Sequence, residues 1–450
     1  MRTAQEKTFV THDGVALFYR HWPAAETPRG AVILLHRGHE HSGRVAHLAD
    51  ELDLPDFAFF AWDARGHGCS PGARGDSPSF AASVRDLQVF VEHIVKTYGV
   101  AVQDIAVVAQ SVGAVLAATW AHDYAPQVRC MVFASPAFKV KLYVPFARPA
   151  LKLLESIWPG RFVNSYVKPK LLTHDPQRIA SYETDTLVTR AISVKILTQL
   201  YGAAERVVAD ARAITVPTQV LISGSDWVVH AGPQHKFFEE LGTPIKERRV
   251  LPGFYHDTLG ERDRSSAVGH ARRFILDRFF EKPKRPSLLE ADLWGHTRDE
   301  ADRLATPLSL GTARGIYWAM TRFWLKVGGL FSRGIKVGHQ TGFDSGSSLD
   351  YVYRNTPQGL GPIGRLIDKV YLTSIGWRGI RQRKVHAGEM IRSAMARLRK
   401  DDRPVHILDI AAGHGRYVLE ALTEGVQKPD SILLRDYSPI NVEAGNKLIN

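Results

Sequence analysis

The sequence predicts an α/β fold for residues 8–282, built on a mostly parallel sheet. Short apolar runs alternate there with amphipathic stretches, as they do where strands and helices take turns. Runs such as AVILL and IAVVA carry no polar alternation, which suits strands buried on both faces. The hydrophobic share of 44% and charged share of 23% are those of an ordinary globular protein. A wholly disordered, collagen-like or coiled-coil chain is excluded.

Taken in order, strands are expected at Ala31–Leu35, Phe57–Trp62, Ile105–Ala109, Cys130–Ala134, Thr218–Ser223 and Lys246–Leu251, with helices between them. The alternation breaks between Ser135 and Val216, where no strand is expected and several helical stretches are. An insertion of that length between two strands reads as a helical lid, placed at 137–214. The segment EKPKRPSLLEAD (281–292), with its prolines and charges, reads as the start of an interdomain linker placed at 283–300. A new strand is expected at Val405–Ile410 and another at Ser431–Leu434, inside a second region over 301–450. The length of 450 residues fits two or more domains.

The net charge of +12 is uneven: residues 283–450 hold 25 Lys+Arg against 17 Asp+Glu. Two cysteines, Cys69 and Cys130, form no C-x-x-C pattern, which favours a reducing compartment and no structural zinc. The N-terminus lacks the apolar core of a signal peptide, and no run is long and apolar enough to span a bilayer. The expected location is cytoplasmic, with peripheral contact on the inner membrane face as an option.

The strand Ile105–Ala109 runs into Gln110-Ser111-Val112-Gly113 and then a helix-like stretch. A serine on so tight a turn needs small neighbours two residues away on each side, here Ala109 and Gly113. Its hydroxyl becomes a nucleophile only when a base takes the proton. Asp226 and His256 each follow a strand, in the chain order acid then base. The developing oxyanion would be met by the backbone N–H of Val112 and, from the loop HRGHEHSG, that of Gly38. His36, His39 and His41 cluster in that loop without helical spacing or a carboxylate pattern. No metal is expected, and His39 and His41 are read as orienting the loop.

These residues resemble the α/β-hydrolases of the monoacylglycerol lipase, lysophospholipase and serine aminopeptidase group. HRGHEHSGR resembles that group's H-G-x-G-E-H-S-G-R, AWDARGHGCSPG its D-x-R-G-H-G-x-S-x-G, and AQSVG its G-H-S-M-G. LLTHDPQRIASYETDTLV resembles a stretch of its lid, and ISGSDW and LPGFYHD stand at its acid and base. The resemblance implies hydrolysis of a lipid-like carboxylic ester through an acyl-enzyme, without a cofactor, by Ser111, Asp226 and His256. Three positions depart from it. Ala109 replaces a glycine, Gln110 a histidine, and Arg37 a glycine. A cation at Arg37 raises the option of an anionic head-group contact; the plainer expectation is a surface salt bridge.

A second motif follows Val405–Ile410: Asp409-Ile410-Ala411-Ala412-Gly413-His414-Gly415. Glycines at a strand-to-helix turn let a ligand approach the backbone, and Asp436 ends the next strand where an acid can hold ribose hydroxyls. The spacing D-x-A-x-G-x-G resembles motif one of class I S-adenosylmethionine methyltransferases, found after such hydrolases in bacterial bifunctional proteins. The resemblance implies that Gly413 and Gly415 approach the cofactor, Asp436 the ribose, and Asp409 supports the turn. Only 46 residues run from Val405 to Asn450, so the expectation is a partial Rossmann-like domain in a truncated chain, with S-adenosylmethionine used if the domain is complete.

Between the motifs, GIYWAMTRFWLKVGGLFSR places Ile316, Met320, Phe323, Val327 and Phe331 on one helical face. Packing on a neighbouring domain is the first expectation for it, and lying on an anionic membrane the second. The basic cluster Arg378, Arg381, Arg383 and Lys384 comes without a nucleic-acid module, so no nucleic acid is expected. Two other readings stand beside the ester hydrolase: methyl transfer as the principal activity with an auxiliary hydrolase, and a non-catalytic scaffold.

Overall fold

The computed structural model describes residues 2–143, 147–165, 167–281, 289–293, 296–423 and 428–449. Residues 283–288 and 294–295 of the expected linker therefore lie outside the described residues. The chain divides into two compact units, Met1–Ala305 and Thr306–Asn450.

The first unit is built on an eight-stranded sheet of order β1-β2-β4-β3-β5-β6-β9-β10. The strands are β1 (Gln5–Val10), β2 (Ala16–Trp22), β3 (Gly30–Leu35), β4 (Phe57–Trp62), β5 (Ile105–Gln110), β6 (Cys130–Ala134), β9 (Thr218–Ser223) and β10 (Lys246–Leu251). Two three-residue strands, β7 (Phe162–Asn164) and β8 (Ala191–Ser193), lie in the insertion. From β3 onward the main sheet is parallel; β1 and β2 add an antiparallel edge. The six expected strands are present. β1 and β2 were not expected, since neither the largely exposed QEKTFV nor ALFYRHW, broken by Arg20 and His21, has the continuous apolar run of the interior strands.

Alternate residues of each interior strand feed one of two cores. Ile33 and Leu35 of β3 face one with Trp120, Phe133 and Phe237. Val32 and Leu34 face the other with Phe57, Phe274 and Ile275. This is the period-two geometry of a sheet covered on both sides. Helix Phe80–Tyr98 covers the first face. It starts on Ser79, whose Oγ accepts from Ala82 N, and stops at Gly99 in the left-handed region.

The insertion between β6 and β9 carries helices Ala147–Ile157, Pro176–Thr184 and Val194–Ala209. It also corrects the expectation of a strand-free lid: β7 pairs antiparallel with β8, Phe162 opposite Ser193. Three-residue strands are too short to leave a periodic signal.

The second unit is mostly helical. Helices Ala313–Phe331, Arg333–Thr341, Gly346–Arg354, Gly361–Leu372 and Ile375–Lys400 precede a parallel pair, β11 (His406–Ile410) and β12 (Ser431–Arg435). Its small apolar cluster, Tyr351, Val352 and Leu372, is joined by a buried polar hub. Asp368 accepts from Ser332 Oγ, Gly334 N, Tyr351 OH and Gln358 N. On helix Ala313–Phe331, Ile316, Met320, Phe323 and Phe331 of the expected packing face are exposed and Val327 is half-buried. The helix turns Gly328 and Gly329 toward Ile335 and His339, because a glycine surface admits the closest approach. No helix among the described residues is long and apolar enough to cross a membrane.

Candidate active site

β5 ends at Gln110 and helix Val112–Tyr124 begins two residues later. Ser111 makes the turn with φ +55° and ψ −117°, a strained conformation for a residue with a Cβ. Its N–H donates to Ala134 O of β6, and its C=O accepts from Ala114 N and Val115 N, so backbone bonds on both sides hold the strain. A Cβ on Gly113 would lie 2.5 Å from His36 O, which is why only glycine fits there. Ala109, by contrast, buries its methyl in the first core without difficulty.

β9 and β10 bring the partners. Asp226 follows β9, and its Oδ1 accepts from Val228 N at 2.7 Å and Val229 N at 2.9 Å. Its Oδ2 lies 2.8 Å from His256 Nδ1, and His256 Nε2 lies 2.7 Å from Ser111 Oγ. A carboxylate can only accept, so Nδ1 carries the proton and Nε2 is free to accept from the serine. Burial works to raise the Asp226 carboxyl, but the His256 charge and hydrogen bond and the two backbone N–H groups hold it below the ordinary range. All three side chains are buried, with Ser111 5% and His256 3% exposed.

The loop after β3 closes over this turn. A Cβ on Gly38 would lie 3.0 Å from Val112 Cγ2, so loop and turn abut. Among the described residues neither Gly38 N–H nor Val112 N–H is taken by a protein acceptor. The loop's histidines go separate ways. His36 Nδ1 donates to Arg37 O while its Nε2 accepts from Ala64 N. His41 reaches Asp185 of the insertion at 2.9 Å and accepts from Gly43 N, which ties the loop down. His39 sits at φ +70°, its Nδ1 buried without a hydrogen-bond partner, and burial pushes it down to about 4.

Arg37 is not the surface residue the sequence suggested. It is 4% exposed, and its Nε and Nη2 both donate to Glu40, at 2.9 and 2.5 Å. Gln110, marked in the sequence only as a departure from a histidine, and Asp257, not marked at all, make contacts that nothing local signals. Gln110 Nε2 donates to His256 O and to Asp257 Oδ1, each at 3.1 Å. Asp257, beside the histidine, is 2% exposed.

A cavity of about 410 Å3 opens on Ser111 and His256. Its walls are apolar and come largely from the insertion, including Leu151, Leu154, Val163 and Leu200.

In the second unit Gly413 and Gly415 follow β11 with φ +60° and +71°. A Cβ on Gly415 would lie 2.4 Å from Leu434 Cδ1, and one on Gly413 3.1 Å from Gly346 Cα. Asp436 follows β12; its Oδ2 accepts from Gly413 N, and its Oδ1 from Ser438 N and Asn441 Nδ2. Asp409 Oδ2 accepts from Tyr417 OH at 2.6 Å rather than from the glycine turn. A more polar cavity of about 690 Å3 is lined by Gly413, Tyr417, Asp436, Asn441, Asp350 and Arg383 among others. Asp350, missed in the sequence, holds Arg416 Nε and lies 3.4 Å from His414 Nδ1.

Comparison with known proteins divides the chain between residues 263 and 271, ahead of the boundary of the compact units at Ala305. Residues 26–263 match the serine aminopeptidase, S33 family, and residues 271–450 match the family described as "Putative methyltransferase". The chain is 53% identical, over all its 450 residues, to 77% of "Uncharacterized protein YnbC" of Escherichia coli (strain K12). It is 26% identical to the monoacylglycerol lipase of Mycolicibacterium smegmatis, covering 61% of this chain and 98% of that one. The crystal structure of Paleococcus ferrophilus monoacylglycerol lipase superposes with a TM-score of 0.51 at 25% identity, over 61% of this chain and 99% of that one.

Proposed function

The chain belongs to the serine aminopeptidase, S33 family over residues 26–263 and is an ester hydrolase of that fold, and from this premise we propose that it cleaves lipid esters through an acyl-enzyme. The observation that carries the reading is one line of contacts, Asp226 to His256 at 2.8 Å and His256 to Ser111 at 2.7 Å, opening on an apolar cavity. His256 takes the Ser111 proton as the oxygen attacks the ester carbonyl, then returns it to the departing alcohol. Asp226 keeps the imidazole in the tautomer that can accept, and stabilises the imidazolium. Gly38 N–H and Val112 N–H meet the oxyanion. Water, activated by the same histidine, then releases the acid. The cavity takes an acyl chain, and a monoacylglycerol or lysophospholipid is the substrate class.

The test is labelling with a serine-directed fluorophosphonate, followed by turnover of monoacylglycerol, lysophospholipid and short-chain esters. Labelling lost in Ser111→Ala, with long-chain monoacyl esters turned over fastest, supports the reading. An unlabelled wild-type chain would favour the scaffold instead.

Contact with an anionic membrane surface belongs to this proposal. The apolar residues of helix Ala313–Phe331 are exposed beside Arg322 and Lys326. Sedimentation with vesicles rich in phosphatidylglycerol checks it; protein left in the supernatant rejects it. The location consistent with this is cytoplasmic.

A second activity is favoured by the turn at Gly413 and Gly415. The two left-handed glycines leave the backbone bare at a strand end, which fits S-adenosylmethionine. Asp436 would hold the ribose by exchanging its contacts with Ser438 and Asn441 for the hydroxyls. Calorimetric titration with S-adenosylmethionine tests this; no heat of binding at millimolar ligand rejects it for this chain, and with it methyl transfer as the principal activity.

A further inference from the structure

Behind the loop that carries Gly38 lies a cluster of five charged side chains. Arg37, Glu40 and Arg44 come from the loop itself, Asp257 from the residue after His256, and Arg178 from helix Pro176–Thr184 of the insertion. Glu40, Asp257, Arg37 and Arg44 are 1%, 2%, 4% and 8% exposed. Burying that much charge is costly unless every group is matched. Here the matching runs between three separate segments.

Arg37 grips Glu40 with two bonds, and its Nη2 lies 3.5 Å from Asp257 Oδ2. The same Oδ2 accepts from Arg178 Nε at 2.8 Å. The other oxygen of Asp257 accepts from Gln110, the neighbour of Ser111, and that amide also holds His256 O. Asp257 N donates to Leu172 O of the insertion. Arg178 and Arg44 are tied to each other in both directions, Arg178 Nη2 to Arg44 O and Arg44 Nη2 to Arg178 O, and Arg44 Nη1 reaches Ser181.

We propose that Arg37, Asp257 and Arg178 form a latch through which docking of helix Pro176–Thr184 sets both the oxyanion loop and the histidine loop. Arg37 is then a positioning residue and not a head-group ligand. With the helix docked, Arg178 fixes Asp257, Asp257 fixes Gln110 and the Arg37–Glu40 pair, and Gly38 N–H is presented beside Val112. With the helix withdrawn, Asp257 loses its 2.8 Å partner, and the loops of Gly38 and His256 stay joined only by the 3.5 Å contact of Arg37 with Asp257. The burial that would raise the Asp257 carboxyl is overcome by the charges of Arg178 and Arg37, so the group stays ionised and the latch stays charged. The inference rests on the ester-hydrolase reading of Ser111.

The test uses the full chain with Arg178→Met, Arg37→Met, Arg37→Lys and the double variant Arg37→Met/Glu40→Gln. Turnover of a short-chain and a long-chain ester is measured alongside the rate of fluorophosphonate labelling and the melting temperature. A latch lowers kcat and the labelling rate together, about tenfold or more where the oxyanion donors are displaced, with KM within about twofold on both esters. Arg37→Lys recovers part of the loss. The double variant, which removes the unpaired buried acid, recovers melting temperature but not kcat. Three results would overturn the latch: kcat unchanged in Arg178→Met and Arg37→Met, a rise in KM alone, or kcat returning with stability in the double variant. A wild-type chain that is never labelled would instead overturn the hydrolase reading beneath it.

Discussion

In the first unit Ser111 and His256 are 145 residues apart in sequence and meet at 2.7 Å; in the second, Gly413 and Asp436 are 23 apart and meet at 2.8 Å. The first meeting depends on a whole sheet. β5, β9 and β10 are parallel, so their carboxyl ends lie on one edge, and the residues that follow them converge there. The second depends on a single strand–helix–strand crossover. The surroundings differ accordingly. Every residue of β5 and β9 is buried, whereas Leu408, Ile410 and Leu433 of the β11–β12 pair are more than half exposed. A site spread over a fold is held by the core; a site within one crossover is held by its own turn.

The contrast is sharpest under substitution. Asp226→Asn should lower kcat by roughly 10^4-fold, since the amide favours the wrong imidazole tautomer. Steady-state rates on a monoacyl ester read this directly, and a loss under tenfold would detach Asp226 from the chemistry. Gly113→Ala should cost about 1–3 kcal/mol, because the new methyl meets His36 O and the sheet around it cannot yield. Chemical denaturation of the full chain checks it, and a wild-type midpoint would show the turn to be looser than drawn.

A smaller effect separates the units by pH. Burial pushes His21 and His39 down to about 4 and His67 to about 3, all in the first unit. Unfolded histidines protonate near 6.5. Between those values the unfolded chain binds more protons, so stability is full above about 6.5 and drains away as pH falls toward 4. Calorimetry from pH 7.5 to 4.5 should show the first unit's transition moving down by several degrees. A transition that stays put would mean these rings are solvated. The least effect is local: Gly415→Ala, at φ +71° and against Leu434, should weaken S-adenosylmethionine binding while leaving ester hydrolysis within about twofold. Parallel titration and rate measurements distinguish the two.

The interior strands were legible because burial on both faces leaves unbroken apolar runs, as in IAVVA. The serine turn was legible because its sterics dictate Ala109, Ser111 and Gly113 locally. β1 was not, since an edge strand keeps polar residues on its open side, and β2 was not, since its apolar residues are interrupted by Arg20 and His21. The contacts of Gln110, Asp257 and Arg178 were not legible for a different reason. Their partners lie 79 to 147 residues away, and a glutamine or arginine in isolation says nothing about what it will meet. Arg37 was singled out from its position, but its burial reversed the expected setting. Helix Ala313–Phe331 was found, yet which of its faces packs was set by Gly328 and Gly329 and not by its largest side chains.

The sheet of the first unit ends in β1 on one side and β10 on the other. Such margins carry free N–H and C=O groups that can recruit strands from other molecules and seed aggregates. Here β10 reads KERRVL, with Arg248 and Arg249 exposed, and β1 reads QEKTFV, with Gln5, Glu6 and Thr8 exposed. A second copy approaching either margin in register would bring charge against charge before any backbone bond could form. Replacing Arg248 and Arg249 by valines would leave the catalytic groups untouched and turn a self-limiting strand edge into an adhesive one.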